Sequence, residues 1–591
     1  MKKTGAQIVV KLLEDCGIKT VAGIPGGSIL PLYDELNRSN IRHILVRHEQ
    51  AAGFIAQGMT RSTGLPAVCL ATSGPGAMNL LTAVADARSD SIPIIAITGQ
   101  VNTTLIGTDA FQEADTFGLS FPITKHSVMV KSAKELLAAI PKAFAIACDG
   151  RPGPVLIDIP RNVQLEEVEF DKWPKIEWNP ASKDGNTPAC VVHEDYEGVK
   201  TDFNFEEKIN QIKDFIYAAK KPVLYCGGGC NTNAAADAIA KFLEKYPLPV
   251  VTSLMGLGCY PESKKEFIGM VGMHGSYAAN VAMHDSDLVI AIGVRFDDRA
   301  TGIVAKFCPG AKIVHIDIDA AELNKIMPSN ITCVGKVDET INALVASMKK
   351  DSAEKIAAEK AERESWLNTI IECKKQNDSI TLGRPEGEKL ANPREFISSV
   401  PELSAKAGTP AEDLIVTTDV GQHQMWAAQY YPIERPRSFL TSGSLGTMGF
   451  GLPAAIGASL ANPDKRVVCF SGDGSIMMNI QEMATLAELN LPVTVIVFQN
   501  GTLGMVYQQQ KYLFDKNYSA SIFGRVPDLL SIAKGFGIEA VDADSDPEWY
   551  KKAFDAKRQN KPCFVRCSVD SEENVLPFVP GGKANIDSIR D

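Results

Sequence analysis

Two short stretches of this chain carry residue types that can hold a cation against a polyphosphate. Gly472-Asp473-Gly474-Ser475 follows the apolar run RVVCFS, and 27 residues after the aspartate comes Asn500, in FQNGTLGM, at the end of LPVTVIV. Each stands just past the C-terminal end of a predicted strand, the edge at which open parallel sheets take ligands. Magnesium wants octahedral oxygen ligands and is usually held by one or two protein groups plus phosphate oxygens. Asp473, the Asn500 amide oxygen and the Thr502 main-chain carbonyl supply about half such a shell, and a diphosphate would supply most of the rest. The glycines admit phosphates to the backbone, and the helix predicted after Ser475 turns its N-terminus toward them. Singly, G-D-G and N-G are more often plain turns; their joint spacing and strand placement argue for a site.

Glu49, in RHEQAAGFIAQGMTR, is the second candidate. It follows the run IRHILVR and opens a predicted helix, so it too lies at a strand's C-terminal edge. Read alone, it is a first-turn carboxylate that the helix dipole stabilises by about 0.3 to 1 kcal/mol.

The elements that must position these residues alternate in type. TVAGIP, IRHILVR, PAVCLATS and IPIIAITG are separated by helical patterns, and such alternation predicts a parallel sheet covered by helices on both faces. The pattern resumes in KKPVLYCGGG, PLPVVTSLMG, SDLVIAIGVRF and AKIVHIDID, and again in LIVTTDVG, RVVCFSGDG and LPVTVIVFQN. The fold class is therefore α/β, with three doubly wound parallel-sheet domains at 1–164, 206–347 and 393–570. The charged, aperiodic stretch 165–205 and the stretch 348–392, Lys-, Glu- and Ala-rich and helical from Met348 to Lys375, are expected as linkers, and 571–591 as a C-terminal tail. Gly74 to Gln100 and Gly472 to Asn500 share an order of strand, G-x-G, helix with Asn in its first turns, Pro and buried strand, so the first and third domains read as copies of one fold. Pro75 offers no ligand atom where Asp473 offers a carboxylate.

The 591 residues allow about four domains of ~150 residues, or three larger ones with linkers. With 71 acidic and 60 basic residues the net charge is −11, the wrong sign for a nucleic-acid sleeve. The chain is 45% apolar and 22% charged, enough to bury several cores. Its 13 cysteines lie mostly in apolar runs without metal or disulfide spacing, as in a reduced cytoplasmic protein. The start, MKKTGAQIVVKLLEDCG, reads as an amphipathic helix rather than a secretory signal. No run approaches the ~20 apolar residues of a membrane span.

Longer strings narrow the reading. GIPGGSILPLYDEL, RHEQAAGFIAQGMTR, TSGPGAMN, IGTDAFQEAD, GVRFDDRATG, TTDVGQHQMWAAQYY and LGTMGFGLPAAIGA, in collinear order from about residue 4 to 570, closely resemble the FAD-containing acetohydroxyacid (acetolactate) synthases, a family of thiamine-diphosphate enzymes. The resemblance implies that Glu49 bonds to N1′ of the cofactor pyrimidine, that Met448 is the bulky side chain that bends the cofactor, and that Gln112 lies beside cofactor and substrate. It places the diphosphate against Val420, Gly421, Gln422 and His423, Gly446, Gly474 and Ser475, and Leu503, Gly504 and Met505, with magnesium on Asp473, Asn500 and Thr502. It implies FAD in the middle domain, at Gly227, Gly228 and Gly229, Met273, His274 and Gly275, Arg295, and Asp317 and Ile318, with Arg151 reaching in from the first domain. Arg299 matches the arginine expected to take the carboxylate of a second 2-ketoacid, a task suited to bidentate guanidinium geometry.

Two positions depart from the family pattern. Gln509 stands where many relatives have a tryptophan associated with preferring 2-oxobutyrate, so weak discrimination between acceptors is expected. Asn102 stands where many have proline, in a channel that herbicides occupy, so altered inhibitor sensitivity is expected. The implied reaction is decarboxylation of pyruvate and transfer of its two-carbon unit to pyruvate or 2-oxobutyrate, in branched-chain amino acid synthesis. The family also implies a homodimer or homotetramer, with the site shared between subunits, and a small regulatory subunit. A pyruvate oxidase and a silent paralogue are the competing readings. Intact Glu49, Asp473 and Asn500 argue against the second.

Overall fold

The computed structural model describes residues 1–179, 189–192, 204–349, 353–377, 390–555 and 561–590. Three six-stranded sheets form its frame, every neighbouring pair of strands parallel. The first spans strands from Thr20–Gly23 to Val155–Pro160, the middle one Pro222–Cys226 to Ile331–Val334, and the third Leu414–Thr418 to Cys563–Ser568. Numbered along the chain within each sheet, the first and third both run 2-1-3-4-6-5, and the middle one runs 3-2-1-4-5-6. The internal echo therefore reflects a shared topology. The middle order is that of dinucleotide-binding sheets. Central strands such as Ile94–Gln100 and Arg466–Gly472 are buried along their whole length, as strands covered on both faces must be.

The helix Gly5–Asp15 starts where the sequence places it, because Thr4 and Gln7 form a capping box. The helix Glu49–Thr63 begins at His48, whose side chain accepts from Gln50 N, and stops at Gly64 with φ +79°. It ties the first domain to the third by packing on helix Gly451–Ala461 at backbone distance. A Cβ on Gly58 would lie 2.1 Å from Ala454 O, and one on Gly457 would lie 2.0 Å from Ile55 O. Gly58→Ala is therefore expected to destabilise by about 1–3 kcal/mol through overpacking. A melting temperature equal to that of the parent chain would contradict this contact.

Three expectations need correction. The start of 165–205 is not a linker: Glu167–Glu169 pairs antiparallel with Lys2–Thr4, Phe170 and Trp173 join the first core, and Trp173 Nε1 donates to Asp15 at 2.7 Å. Strands Ile176–Asn179 and Ala189–Val192 pair with each other. These strands, three or four residues each, are too short to show a period; residues 180–188 and 193–203 lie outside the described ones. In 348–392 the helix Ala353–Asn377 packs on the middle domain, with Trp366, Leu367 and Ile370 buried in its core and Trp366 Nε1 bonded to Pro222 O at 3.1 Å. Its narrow apolar face is diluted by Lys and Glu, and residues 350–352 and 378–389 are outside the described part. Nor does the C-terminal tail, described to residue 590, stand apart from the domains. Val579 N donates to Met273 O at 2.9 Å and Asn585 Nδ2 to Ala300 O at 2.8 Å.

Among the described residues no helix is long and apolar enough to cross a membrane. The buried Cys69, Cys226 and Cys469 form no disulfide.

Candidate active site

A cavity of about 1550 Å³ opens among the three domains. At one end it is lined by the strand-end segments of the third domain. Asp473, 4% exposed, follows strand Arg466–Gly472, and its Oδ2 accepts from Asn500 N at 3.2 Å and Gly501 N at 2.7 Å. Burial pushes its carboxyl up to about 6, with those N–H groups opposing. Asn500 Oδ1 accepts from Thr502 N and Oγ1, both at 3.0 Å, and Asn500 Nδ2 donates to Gln422 Oε1 at 3.3 Å. A cation on Asn500 Oδ1 would share it with Thr502. The donor set is one carboxylate, one amide and main-chain carbonyls, all hard oxygens, which suits magnesium bound with phosphate. No cluster of three His, Cys, Asp or Glu residues exists among the described residues to favour a softer metal.

Around Asp473 the predicted cradle assembles. Val420, Gly421, Gln422, His423, Gly446, Met448, Gly474, Ser475, Leu503, Gly504, Met505 and Gln509 all line the cavity. A Cβ on Gly504 would meet Gln422 Oε1 at 2.0 Å; on Gly474 it would lie 2.8 Å from Leu503 Cδ2 and 3.8 Å from Met448 Cε. Gly446 has φ +67°, a conformation that favours glycine. Burial pushes the His423 imidazole down to about 3, and its Nε2 has no partner. A buried ring nitrogen left open is the kind of acceptor that a donor on an incoming ligand, or a water bound with it, satisfies.

At the other end the middle domain contributes Gly228, Gly229, Met273, His274, Arg295, Asp317 and Ile318. Gly227 and Gly275 lie just off the lining, where a Cβ would strike Gly293 O at 2.1 Å and Met270 O at 2.5 Å: they serve close packing. His274 stacks on Phe578, is pushed down to about 4 by burial, and has an unpartnered Nδ1. Asp317 is pushed up to about 6 by burial and its Oδ1 accepts from Asp319 N, the turn-capping role that competes with ribose binding. Arg151 is held by Glu322 at 2.5 Å and Asp319 at 3.4 Å, and Arg295 by Ser89 O at 2.6 Å and by Ser444 Oγ, so both bridge domains as well as lining the cavity. The Arg299 side chain is 71% exposed and only 3.8 Å from Asp298, leaving its guanidinium open toward the cavity.

Glu49 and Gln112 do not line this cavity. They meet elsewhere, at the turn that begins helix Pro75–Ser89. Asn79 Nδ2 donates to Glu49 Oε2 at 2.9 Å, a Cβ on Gly76 would lie 3.3 Å from Glu49 Oε1, and one on Gly74 would lie 2.8 Å from Gln112 O. Gln112 itself has φ +58°, in a loop held by the Glu113 carboxylate, which accepts from Ala110 N at 3.0 Å and from Gly107 N. Asn79 escaped the sequence reading as a functional residue. Its only signal was the repeated Asn in the first turns of the echoed helices.

Residues 3–119, 209–344 and 419–567 match, respectively, the N-terminal TPP binding, central, and C-terminal TPP binding domains described for thiamine pyrophosphate enzymes. The chain is 46% identical over 587 residues to the acetolactate synthase isozyme 1 large subunit of Escherichia coli K12, covering 99% of this chain and 97% of that one. It is 43% identical over 580 residues to a probable acetolactate synthase large subunit of Methanocaldococcus jannaschii, covering 98% and 94%. With the isozyme 2 large subunit of E. coli it shares 40% over 582 residues, 98% of both chains. These alignments run through the stretches expected as linkers.

Proposed function

We propose that this chain, which belongs to the acetolactate synthase large-subunit family of thiamine pyrophosphate enzymes, forms 2-acetolactate from two pyruvates, or 2-aceto-2-hydroxybutyrate from pyruvate and 2-oxobutyrate, in branched-chain amino acid biosynthesis. Bound thiamine diphosphate supplies the centre at which the first 2-ketoacid loses carbon dioxide and its two-carbon remainder becomes nucleophilic. Domain 1–164 carries the pyrimidine half of the site, 206–347 the flavin, and 393–570 the diphosphate and magnesium. The observation that carries the reading is one cavity with an oxygen-donor set and an open His423 nitrogen at one end and the middle domain's His274 and Asp317 at the other.

In this reading Asp473, Asn500 and the Thr502 carbonyl hold Mg2+, while Gly474, Ser475, Leu503, Gly504, Met505 and the segment 420–423 enclose the diphosphate. Glu49, oriented by Asn79, holds a proton at N1′ of the pyrimidine, and Gln112 faces substrate. Met448 supports the cofactor from the side of Gly474. Arg299 takes the second ketoacid's carboxylate by a charge-assisted pair. FAD lies against Gly228, Gly229, Met273, His274, Arg295, Asp317 and Ile318, with Arg151 at the domain boundary.

Because Glu49 and Gln112 sit outside the cavity that holds Asp473, a complete site needs the first domain of a second copy. The minimum active unit is then a homodimer, with a tetramer compatible. The relatives' designation as large subunits supports a smaller regulatory partner. Reduced cysteines and the absence of a long apolar helix among the described residues support the cytoplasm.

Incubating the purified chain with pyruvate, thiamine diphosphate, Mg2+ and FAD is expected to yield a product that gives acetoin on acidification. Oxygen uptake with acetyl phosphate formation would instead identify a pyruvate oxidase. With pyruvate and 2-oxobutyrate at equal concentration, Gln509 in the cavity wall predicts comparable yields of the two acetohydroxy acids. A strong bias to 2-aceto-2-hydroxybutyrate would refute that assignment.

A further inference from the structure

The loop that carries Gly446 and Met448 is anchored to its own domain at its two ends, through Gln424 and Asp419, and to the first domain along its length. Ser442 Oγ and Thr447 Oγ1 both donate to Asp86 Oδ2, the latter at 2.9 Å. Gly443 N and Ser444 N donate to Asp90 Oδ2 and Oδ1, each at 2.9 Å, and Thr441 O accepts from Arg61 Nη1 at 2.9 Å. Arg61 also joins the two acids, reaching Asp86 at 3.2 Å and Asp90 at 2.9 Å, with its guanidinium 5.0 Å from the Phe450 ring centre. Both carboxylate side chains are 0% exposed and the arginine side chain 4%. The middle domain closes the remaining side through Arg295, bonded to both Ser89 O and Ser444 Oγ.

Two buried carboxylates against one guanidinium is an expensive arrangement for packing alone, since a hydrophobic contact would serve as well or better. Its geometry shows what it fixes. Arg61 lies in the last turn of the helix that begins at Glu49, while Asp86 and Asp90 end the helix whose first turns hold Gly76 and Asn79 against Glu49. Each helix therefore has one end at the Glu49 carboxylate and the other on the Met448 loop.

We propose that Asp86 and Asp90 are positioning residues for the reaction, which with Arg61 fix residues 442–447 so that Met448 is kept against Gly474. This rests on the role given above to Met448. Displacing a supporting group by even about 1 Å can cost on the order of 100-fold in rate, so loss of the clamp is expected to be read in chemistry before it is read in folding.

The test uses the holoenzyme and two perturbations. Asp86→Asn removes one of the two carboxylates and leaves Arg61 paired with Asp90, one charge against one; Ser442→Ala with Thr447→Val removes the loop's two hydroxyl donors to Asp86 and leaves the ion pairs and the Gly443 and Ser444 N–H bonds to Asp90 in place. For both, three readouts are compared with the parent: amide hydrogen exchange of residues 441–450, proton exchange at C2 of bound thiamine diphosphate, and kcat against KM for pyruvate. The expected result is faster amide exchange confined to 441–450, C2 exchange and kcat lowered on the order of 10- to 100-fold, and KM within about twofold. Asp86→Glu, which keeps the charge, should recover part of the C2 exchange. Met448→Ala serves as the control for the underlying reading. Slow C2 exchange in Met448→Ala with parental C2 exchange in both clamp variants overturns the positioning role; parental C2 exchange in Met448→Ala overturns the role of Met448 and the positioning role with it. Unchanged amide exchange in 441–450 also overturns the clamp.

Discussion

Replacing Glu49 by glutamine is expected to lower kcat by a factor of ~10² to 10⁴, the range that loss of a positioned acid or base costs, with melting temperature and cofactor content close to those of the parent. Glutamine fills the same volume and keeps an oxygen able to accept from Asn79 Nδ2, now 2.9 Å from the carboxylate. What it lacks is the charge that, in the proposed role, would hold a proton at the pyrimidine. The half-buried position of Glu49 on the first helical turn means that fold stability depends on it only through the helix dipole, at about 0.3 to 1 kcal/mol. Product formation measured at saturating thiamine diphosphate and Mg2+ separates the two contributions. Parental turnover by Glu49→Gln would remove the residue from the chemistry altogether.

Asp473→Asn is expected to act at the opposite end of the site and with a different signature. Asn500 N and Gly501 N engage Oδ2 of the parent carboxylate, and in the proposed role the same carboxylate is an anionic ligand of the cation. Changing an outer partner of a metal site costs ~10- to 100-fold in affinity or activity, and removing a direct anionic ligand should cost at least that. The apparent affinities for Mg2+ and thiamine diphosphate should fall together, because metal and diphosphate share ligands. Raising Mg2+ should restore part of the rate, which it cannot do for Glu49→Gln. An activation titration with unaltered Mg2+ dependence would show that the cation binds elsewhere.

Much of this was legible in the residues, because local pattern reports local backbone. Apolar runs ending in G-D-G and in Q-N-G place Asp473 and Asn500 at strand ends, and the H-E-Q stretch opens a helix at Glu49. Phe267–Met270 and Ile331–Val334 are only four residues long, the first containing a glycine and the second a threonine, and carry too little pattern to read as strands, although they complete the middle sheet. Contacts between distant segments carry no local signal. The bond from Ser442 to Asp86 spans 356 positions, and nothing in T-S-G-S-L-G-T announces that its donors belong to another domain. The same holds for residues 574–590, whose irregular sequence hides their bonds to Met273 and Ala300. Asn79 was visible only as a repeated helix-start residue; its role appears once Glu49 is placed beside it. The cavity that Asp473 lines does not include Glu49 of the same chain, the arrangement that a site shared between subunits requires.

That separation is the central claim, and subunit complementation tests it most directly. Chains carrying only Glu49→Gln and chains carrying only Asp473→Asn, each inactive at limiting Mg2+, are dissociated, mixed in equal amounts and reassociated. If each site draws Glu49 from one copy and Asp473 from the other, every mixed dimer contains one intact site and one doubly altered one. Half of the dimers are mixed, so activity should return to roughly a quarter of the parental value in a two-fold symmetric assembly. If no activity returns although mixed dimers are present, each site takes both residues from the same chain, and the account is contradicted.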